Sequence, residues 1–347
     1  MSFIGINEQN KQRVSISKDA ALIIDQDIID FNLGNRNVLI NNLISYIEEN
    51  NLTKSAELLS YQNTLLSDYD QLHLDMDYSE LIDGLCHIKK EKMIDELATN
   101  GTHKRNQFGF YFRISNDVRR WLENPSNKED EFYLSLEHFL NCIIEEYASY
   151  DYFLRESIAC KDRIAIINSY ISNKQWLDLY STKGMPSRIY PVKILSDISK
   201  THIYLAAISI RNESEYVPVT FRVSSLDINC IRPVYDSQPC AKEYISILND
   251  KIKERGIQFL SLPVTDIKVR LNFHGVRTYN RTKNLRPTYT NITKENDGTF
   301  IYEFHCTEKQ AEFYFMSFGS NAEILFPDSL RNTFKQNYHF AYQKYVE

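Results

Sequence analysis

The chain has 347 residues, of which 43% are hydrophobic and 25% are charged, a composition that excludes a disordered or low-complexity protein. The formal net charge is −6, and the acidic excess lies mostly in residues 19–100, so basic charge is local rather than general. Because the first residues lack an apolar run of signal-peptide length and the six cysteines form no C-x-x-C motif, we expect a reduced, cytoplasmic protein.

The first predicted elements are a strand and two helices over residues 13–49. RVSIS alternates polar and apolar side chains, which turns Arg13 and Ser15 away from the core. Two helices with apolar stripes at helical spacing follow, and Ser17 is a candidate cap for the first of them. Residues 54–100 then predict an acidic helical insert.

A second copy of this pattern begins near residue 108. FGFYFRIS alternates in the same way and turns Tyr111 and Arg113 outward, and a short helix and a long helix over about 131–155 follow it. The two copies resemble the ribbon–helix–helix fold, whose paired strands enter the DNA major groove. This resemblance implies contacts with duplex DNA from Arg13, Ser15, Tyr111 and Arg113. An ordinary α-rich domain with a small hairpin is the alternative.

Residues 160–234 predict a helix followed by four β-rich segments, which favours a small Sm-like or SH3-like β-barrel. Strand alternation predicts that several polar side chains gather on one face, where guanidinium groups hold phosphate and a tyrosine ring stacks on a base. The candidate residues for binding nucleic acid or a ligand are Arg188, His202, Tyr204, Arg211, Arg222 and Ser224. Surface charges on a packing module are the alternative.

The same segment resembles a WYL domain. Ile203-Tyr204-Leu205 stands in the position of the W-Y-L motif, and Ile203 replaces its tryptophan. The other matching residues are Tyr180, Arg188, Pro191 and Thr220-Phe221-Arg222. The resemblance implies a regulator that binds nucleic acid or a nucleotide-like ligand through this barrel.

The last third of the chain contains a basic run. Residues 267–294 hold seven bases and no acid, with tyrosines between them, which suits single-stranded nucleic acid. A solvated loop or hairpin is the alternative. The secondary basic patch within the run comprises Arg270, Arg277, Tyr279, Arg281, Lys283 and Arg286.

The end of the chain resembles the ferredoxin-like extension that follows WYL domains, through Asp297-Gly298, Phe318-Gly319 and residues 323–327. In that family the extension packs against a partner subunit. The last helix also carries an aromatic stripe, Phe334, Tyr338 and Tyr342. We therefore predict a homodimer formed through this region.

The sequence as a whole predicts an α+β multidomain protein. Its divisions are an α-rich ribbon–helix–helix-like domain with an acidic helical insert (1–159), a WYL domain (160–234) and a C-terminal extension (235–347). Because no nucleotide-loop, nucleophile or zinc-protease motif occurs, we expect no catalysis, no cofactor and no bound metal.

This architecture most resembles the WYL accessory proteins of type VI-D, RNA-targeting CRISPR loci. The resemblance implies a protein that binds single-stranded RNA and stimulates an RNA-guided CRISPR ribonuclease. A ligand-sensing DNA-binding transcriptional regulator and a structural adaptor are the alternatives.

Overall fold

The computed structural model describes residues 11–71, 78–100, 107–124, 132–179, 187–211, 215–235 and 239–346. The chain divides into two units, Met1–Ile164 and Ala165–Glu347. Helices are combined with three antiparallel sheets, which confirms the predicted α+β class. The division into three domains stays a prediction. Within the described ranges, no helix has the length and apolar character needed to cross a membrane.

Unit 1 contains a two-stranded ribbon with helices packed against one of its faces. β1 (Lys11–Ser17) pairs antiparallel with β2 (Gln107–Arg113), and Arg13 lies opposite Tyr111. The described helices of unit 1 are α1 (Lys18–Asp30), α2 (Arg36–Glu49), α3 (Lys54–Gln71), α4 (Ser79–Asn100), α5 (Asn116–Glu123), α6 (Leu136–Ser149) and α7 (Tyr152–Ala159). The next helix, α8 (Lys161–Ser172), begins in unit 1 and continues into unit 2.

The two strand–helix–helix copies are joined by the same pattern of hydrogen bonds, from a helix of one copy to the strand of the other. Two side chains four residues apart on α2 accept backbone N–H groups at the end of β2, and two side chains at the same spacing on α6 accept N–H groups of β1. Four residues of helix rise about 6 Å and two residues of strand rise about 6.6 Å. The spacing of the helix side chains therefore matches the spacing of the strand N–H groups. The bonds join Asn37 to Arg113, Asn41 to Ser115, Asn141 to Ser15 and Glu145 to Ser17.

A buried ion pair lies among the helices of unit 1. Asp27 is 1% exposed and accepts hydrogen bonds from the Tyr147 hydroxyl at 2.7 Å and from Arg155 Nη1 at 2.7 Å. Burial raises the pKa of Asp27, and the bonds from Tyr147 and Arg155 oppose that shift without cancelling it. Each partner therefore compensates the buried charge of the other. Removing either one would leave the remaining charge buried without a partner.

The long helix that the sequence predicts over about 131–155 is two helices, α6 and α7. Tyr150 is extended, with φ −68° and ψ 154°, and its conformation ends α6. Asp151 then caps α7 by accepting the backbone N–H of Leu154 at 2.7 Å. The apolar stripe of α6 is buried as predicted, from Leu136 to Tyr147.

The first sheet of unit 2 has the strand order β6-β5-β4-β3-β7. Its strands are β3 (Leu177–Leu179), β4 (Ser187–Ser196), β5 (Ile203–Arg211), β6 (Glu215–Arg222) and β7 (Ile231–Pro233), and α9 (Lys242–Arg255) packs against it. In the described part of the chain no pairing joins β6 to β7, so the predicted closed barrel is not found. β3 and β7 have three residues each, and they offer few ladder bonds for closure.

The second sheet of unit 2 has the order β11-β8-β10-β9, antiparallel throughout. Its elements are β8 (Val264–Leu271), α10 (Phe273–Arg281), β9 (Tyr289–Lys294), β10 (Phe300–Thr307), α11 (Glu308–Phe315) and β11 (Ala322–Phe326), followed by α12 (Asp328–Val346). The element order β-α-β-β-α-β is the one called ferredoxin-like.

Aromatic side chains fill the core of this second module. Phe334, which the sequence assigned to a dimer-forming stripe, is 5% exposed and belongs to this core. Tyr342 of the same stripe is 65% exposed. Only the later part of the predicted stripe is therefore available to a partner.

Candidate nucleic-acid interface

Three of the candidate residues on the first sheet of unit 2 come together. Tyr204 on β5 lies directly opposite Arg222 on β6. Arg222 Nη2 contacts the ring nitrogens of His202, and the His202 ring stands nearly perpendicular to Tyr204, with centroids 6.2 Å apart. The three side chains therefore form one cluster on β5 and β6, which we call the Arg222 cluster.

Arg188 does not belong to this cluster, so the prediction that it gathers on one face with the other three is wrong. β4 and β5 are antiparallel, and Ile189 pairs with Ser209, which places Arg188 beside the end of β5. Tyr204 stands near the start of β5, about 20 Å away along the strand. Arg188 is also ion-paired to Asp178, directly opposite on β3, at 3.0 Å.

Two further candidates on this sheet occupy other positions than the sequence predicts. Strand β6 ends at Arg222. Ser224 therefore lies beyond the strand, in a 3-10 turn, and is 2% exposed. Burial removes Ser224 from any surface that a ligand reaches. Arg211 ends β5, and its side chain lies outside the described part, as does Tyr180 of the WYL-like motif.

The β4–β5 turn presents cationic and apolar groups beside the Arg222 cluster. Asp197 is 7% exposed and accepts the backbone N–H of Thr201 at 2.6 Å and that of His202 at 3.2 Å. These bonds fix the turn, on which Lys200 is exposed and Ile198 is 61% exposed.

The middle of the basic run forms a helix, α10, and not the solvated loop or hairpin that the sequence left open. Asn272 caps α10 by accepting the N–H of Gly275 at 2.9 Å. Gly275 and Tyr279 face the core. A Cβ at Gly275 would overlap the carbonyl oxygen of Asn321, so only glycine lets α10 approach so closely.

The opposite side of α10 is exposed and cationic. Phe273, Arg277 and Arg281 recur at four-residue spacing and lie on that side, and Phe273 is 65% exposed. The Arg277 guanidinium lies 5.6 Å from the centre of the Phe273 ring. Lys283 follows the helix and is exposed. Among the described residues, no acidic side chain is within ion-pair distance of Arg277, Arg281 or Lys283. We call these four residues the α10 basic face.

Three other members of the predicted basic patch have different roles. Tyr279 is 3% exposed and its hydroxyl donates to the carbonyl oxygen of Pro287 at 2.8 Å, so it cannot stack on a base as predicted. Burial raises the pKa of Tyr279 to about 12. Arg286 lies 5.3 Å over the Tyr279 ring, and Arg270 is neutralised by Glu295 and Glu323, each at 2.8 Å.

A hydrogen bond joins the segment that follows α10 to the first sheet of unit 2. Asn284, just after Lys283, donates from Nδ2 to the Ser199 hydroxyl at 3.4 Å. Ser199 precedes Lys200 in the β4–β5 turn, which leads directly to His202. This bond places the segment after α10 beside the turn that carries Lys200.

The exposed face of the ribbon in unit 1 holds the remaining candidates. Arg13 and Arg113 are exposed, and Tyr111 is 69% exposed. Ser15 is half-buried, with its N–H bonded to Asn141 at 2.8 Å. Lys11, opposite Arg113, adds a third base that the sequence interpretation omitted. In the ranges that the structure covers, no group of three or more His, Cys, Asp or Glu side chains is arranged to hold a metal ion.

Comparison with known proteins adds a likeness of fold. No protein-family model and no curated protein matches the chain. A solved structure described as the crystal structure of a CRISPR Cas-related protein aligns over 100% of this chain and 99% of its own, with a TM-score of 0.68 and 21% identity. Proteasome accessory factor B/C (PafBC) of Arthrobacter aurescens aligns over 49% of this chain and 25% of its own, with a TM-score of 0.24 and 14% identity, which supports no argument. The first of these likenesses, at 21% identity, shows a shared fold.

Proposed function

We propose that this chain is a non-catalytic accessory protein of a CRISPR system that binds single-stranded RNA on the α10 basic face. In this proposal unit 1 is a ribbon–helix–helix-like domain, and unit 2 combines a WYL-like sheet with a ferredoxin-like extension. The bound RNA links the protein to an RNA-guided ribonuclease, whose activity it raises. The protein itself needs no cofactor and acts in the cytoplasm as a homodimer.

The observation that carries the proposal is the exposed charge of Arg277, Arg281 and Lys283, for which the described part of the chain supplies no acidic partner. Four residues of helix separate the two guanidinium groups by about 6 Å along the axis. A flexible single strand can follow such a narrow cationic path, because its backbone bends to meet each charge. Arginine also holds phosphate oxygens through two parallel hydrogen bonds, which a lysine in its place does not.

The CRISPR assignment is supported by the solved structure that shares this fold along the whole chain and is described as CRISPR Cas-related. The arrangement of an N-terminal ribbon and a WYL-like sheet also resembles the accessory proteins of RNA-targeting CRISPR loci. Reconstitution tests this part: we expect the purified chain to raise the rate of target-RNA cleavage by an RNA-guided ribonuclease from such a locus, and to cleave no RNA alone.

Binding is tested by fluorescence anisotropy with a labelled single-stranded RNA over a series of salt concentrations. Each phosphate contact to a single strand contributes about 0.7 to the slope of log affinity against log salt. We therefore expect the double variant Arg277→Ala/Arg281→Ala to lower the slope by about 1.4. Its affinity at moderate salt should fall at least about tenfold, or about 1.4 kcal/mol.

The matched control is the double variant Arg188→Ala/Lys268→Ala, which removes the same net charge. Both of its cations are already ion-paired, Arg188 with Asp178 at 3.0 Å and Lys268 with Glu303 at 2.7 Å. We expect this control to keep the wild-type slope. Equal losses in the two double variants would mean that only net charge matters and would refute a site on α10.

A second candidate function, duplex DNA binding by a ligand-sensing transcriptional regulator, is favoured by the ribbon. Its exposed face carries Lys11, Arg13, Arg113 and Tyr111 and, among the residues described, no acid. On this alternative, Arg13→Ala/Arg113→Ala abolishes tight binding to a specific duplex and leaves single-stranded RNA binding unchanged. Tight duplex binding by the wild-type chain, lost in this variant, would establish the alternative.

A further inference from the structure

Phe273 is an exposed aromatic side chain in a cationic setting. It begins α10, is 65% exposed, and points to the same side of the helix as Arg277 and Arg281. The Arg277 guanidinium lies 5.6 Å from its ring centre, and the His274 ring meets it edge-on at 5.6 Å. A single exposed ring is ordinary on a protein surface, and Phe273 is distinguished by the cations beside it, which are ion-paired to no acid among the described residues.

The chemistry of these neighbours specifies that partner. A nucleobase has a flat aromatic face, and the phosphates on either side of it are anionic. An aromatic ring flanked by free guanidinium groups satisfies both features, and base stacking on an aromatic side chain strengthens binding by about five- to hundred-fold. In a duplex both faces of each base are covered by stacking, so only an unpaired base can use such a ring.

We propose that Phe273 is the platform on which an unpaired nucleobase stacks, while Arg277 and Arg281 hold the adjacent phosphates. This inference rests on the proposed function and adds to it the residue that contacts the base. It adds a second reason for a preference for single strands, because the ring needs an unpaired base. Stacking on Phe273 distinguishes little among the bases, since every base has such a face.

The chain contains a matched control for Phe273 on α11. Phe313 is 58% exposed, and Lys309 lies 5.0 Å from its ring centre, so the aromatic and cation pair is repeated. Lys309, however, is ion-paired to Glu312 at 3.0 Å. Phe313 therefore lacks the uncompensated charge that attracts a phosphate, and we expect it to bind no base.

The test measures full-length variants with a normal single-stranded RNA and with an abasic strand of the same length. We expect Phe273→Ala to weaken binding of the normal RNA about tenfold, with an unchanged salt slope because no charge is removed. Phe273→Trp, which keeps a ring, and Phe313→Ala should both bind within about twofold of the wild type. The abasic strand should bind Phe273→Ala and the wild type equally.

Three outcomes would overturn the inference. The first is normal RNA affinity in Phe273→Ala. The second is an equal loss with the abasic strand, or a reduced salt slope, since either would mean that the ring only positions Arg277. The third is a loss in Phe313→Ala as large as that in Phe273→Ala. Absence of single-stranded RNA binding by the wild-type chain would instead refute the proposed function itself.

Discussion

Gly84 and Gly275 both lie within helices, and alanine at the two positions has opposite consequences. Gly84 lies in α4, and a Cβ there would meet no atom within 4 Å. Gly275 lies in α10, where a Cβ would overlap the carbonyl oxygen of Asn321 and lie 3.3 Å from the Leu271 Cβ. Intrinsic helix preference favours alanine over glycine in a helix, most fully at an interior position such as Gly84.

The magnitudes follow from these surroundings. Replacing glycine by alanine in a helix interior stabilises by about 0.5–1 kcal/mol, which we expect in full for Gly84→Ala. At Gly275 the obstructing atoms are backbone and cannot rotate away, so α10 must move. Overpacking of this kind costs about 1–3 kcal/mol, which outweighs the intrinsic gain. We expect Gly275→Ala to lower the free energy of unfolding of unit 2 by about 1–2 kcal/mol.

The assay uses the two tryptophans of the chain, one in each unit. Trp176 reports on unit 2 in a Trp121→Phe background, and Trp121 reports on unit 1 in a Trp176→Phe background. Urea unfolding followed by tryptophan fluorescence then gives a midpoint for each unit. A stabilised unit 2 in Gly275→Ala, like the stabilised unit 1 expected in Gly84→Ala, would refute the close approach of α10 to Asn321.

Three further predictions concern the buried pair, the location of binding and assembly. Arg155→Met should lower the free energy of unfolding of unit 1 by about 3–5 kcal/mol in urea titrations, because Asp27 stays buried without its cation. Adding Asp27→Asn to this variant should recover part of the loss. A fragment of residues 161–347 should keep single-stranded RNA affinity within about threefold by anisotropy, whereas loss of binding would assign the site to unit 1. The wild-type chain should be a dimer by light scattering at micromolar concentration, and a monomeric wild type would contradict this prediction. The double variant Tyr342→Ser/Tyr345→Ser should be a monomer, because these side chains are 65% and 90% exposed and available to a partner.

Local patterns predicted the elements of unit 1 well. Alternation over RVSIS and FGFYFRIS gave β1 and β2, which the structure pairs in one ribbon. Ser17, the candidate cap, accepts the N–H of Ala20 at 3.1 Å, as predicted. These features depend on neighbours close in sequence, where periodicity and capping decide the outcome.

Features that depend on distant pairing were not predicted. Arg188 and Tyr204 share a strand phase, but antiparallel register sets them at opposite ends of the β4–β5 pair. Alternation fixes the face of a strand and gives no position along its neighbour. Neither does it reveal that Asp178 lies opposite Arg188 and neutralises it.

The helix α10 shows a different limit. FHGVRTYNR lacks a broad apolar stripe, since only Gly275 and Tyr279 are buried, so hydrophobic periodicity did not identify it. The signals that were present are the cap Asn272 and the four-residue spacing of Phe273, Arg277 and Arg281. Without the helix, the sequence predicts Tyr279 as the exposed aromatic and does not single out Phe273.

The central claim is that single-stranded RNA lies on the α10 basic face. Photo-crosslinking of a bound RNA to the full-length wild-type chain, followed by mass spectrometry of the protease digest, locates it directly. We expect cross-linked nucleotides on peptides covering residues 273–283, and their loss in Arg277→Ala/Arg281→Ala. Cross-links confined to the β1–β2 ribbon, with none on α10, would contradict the account.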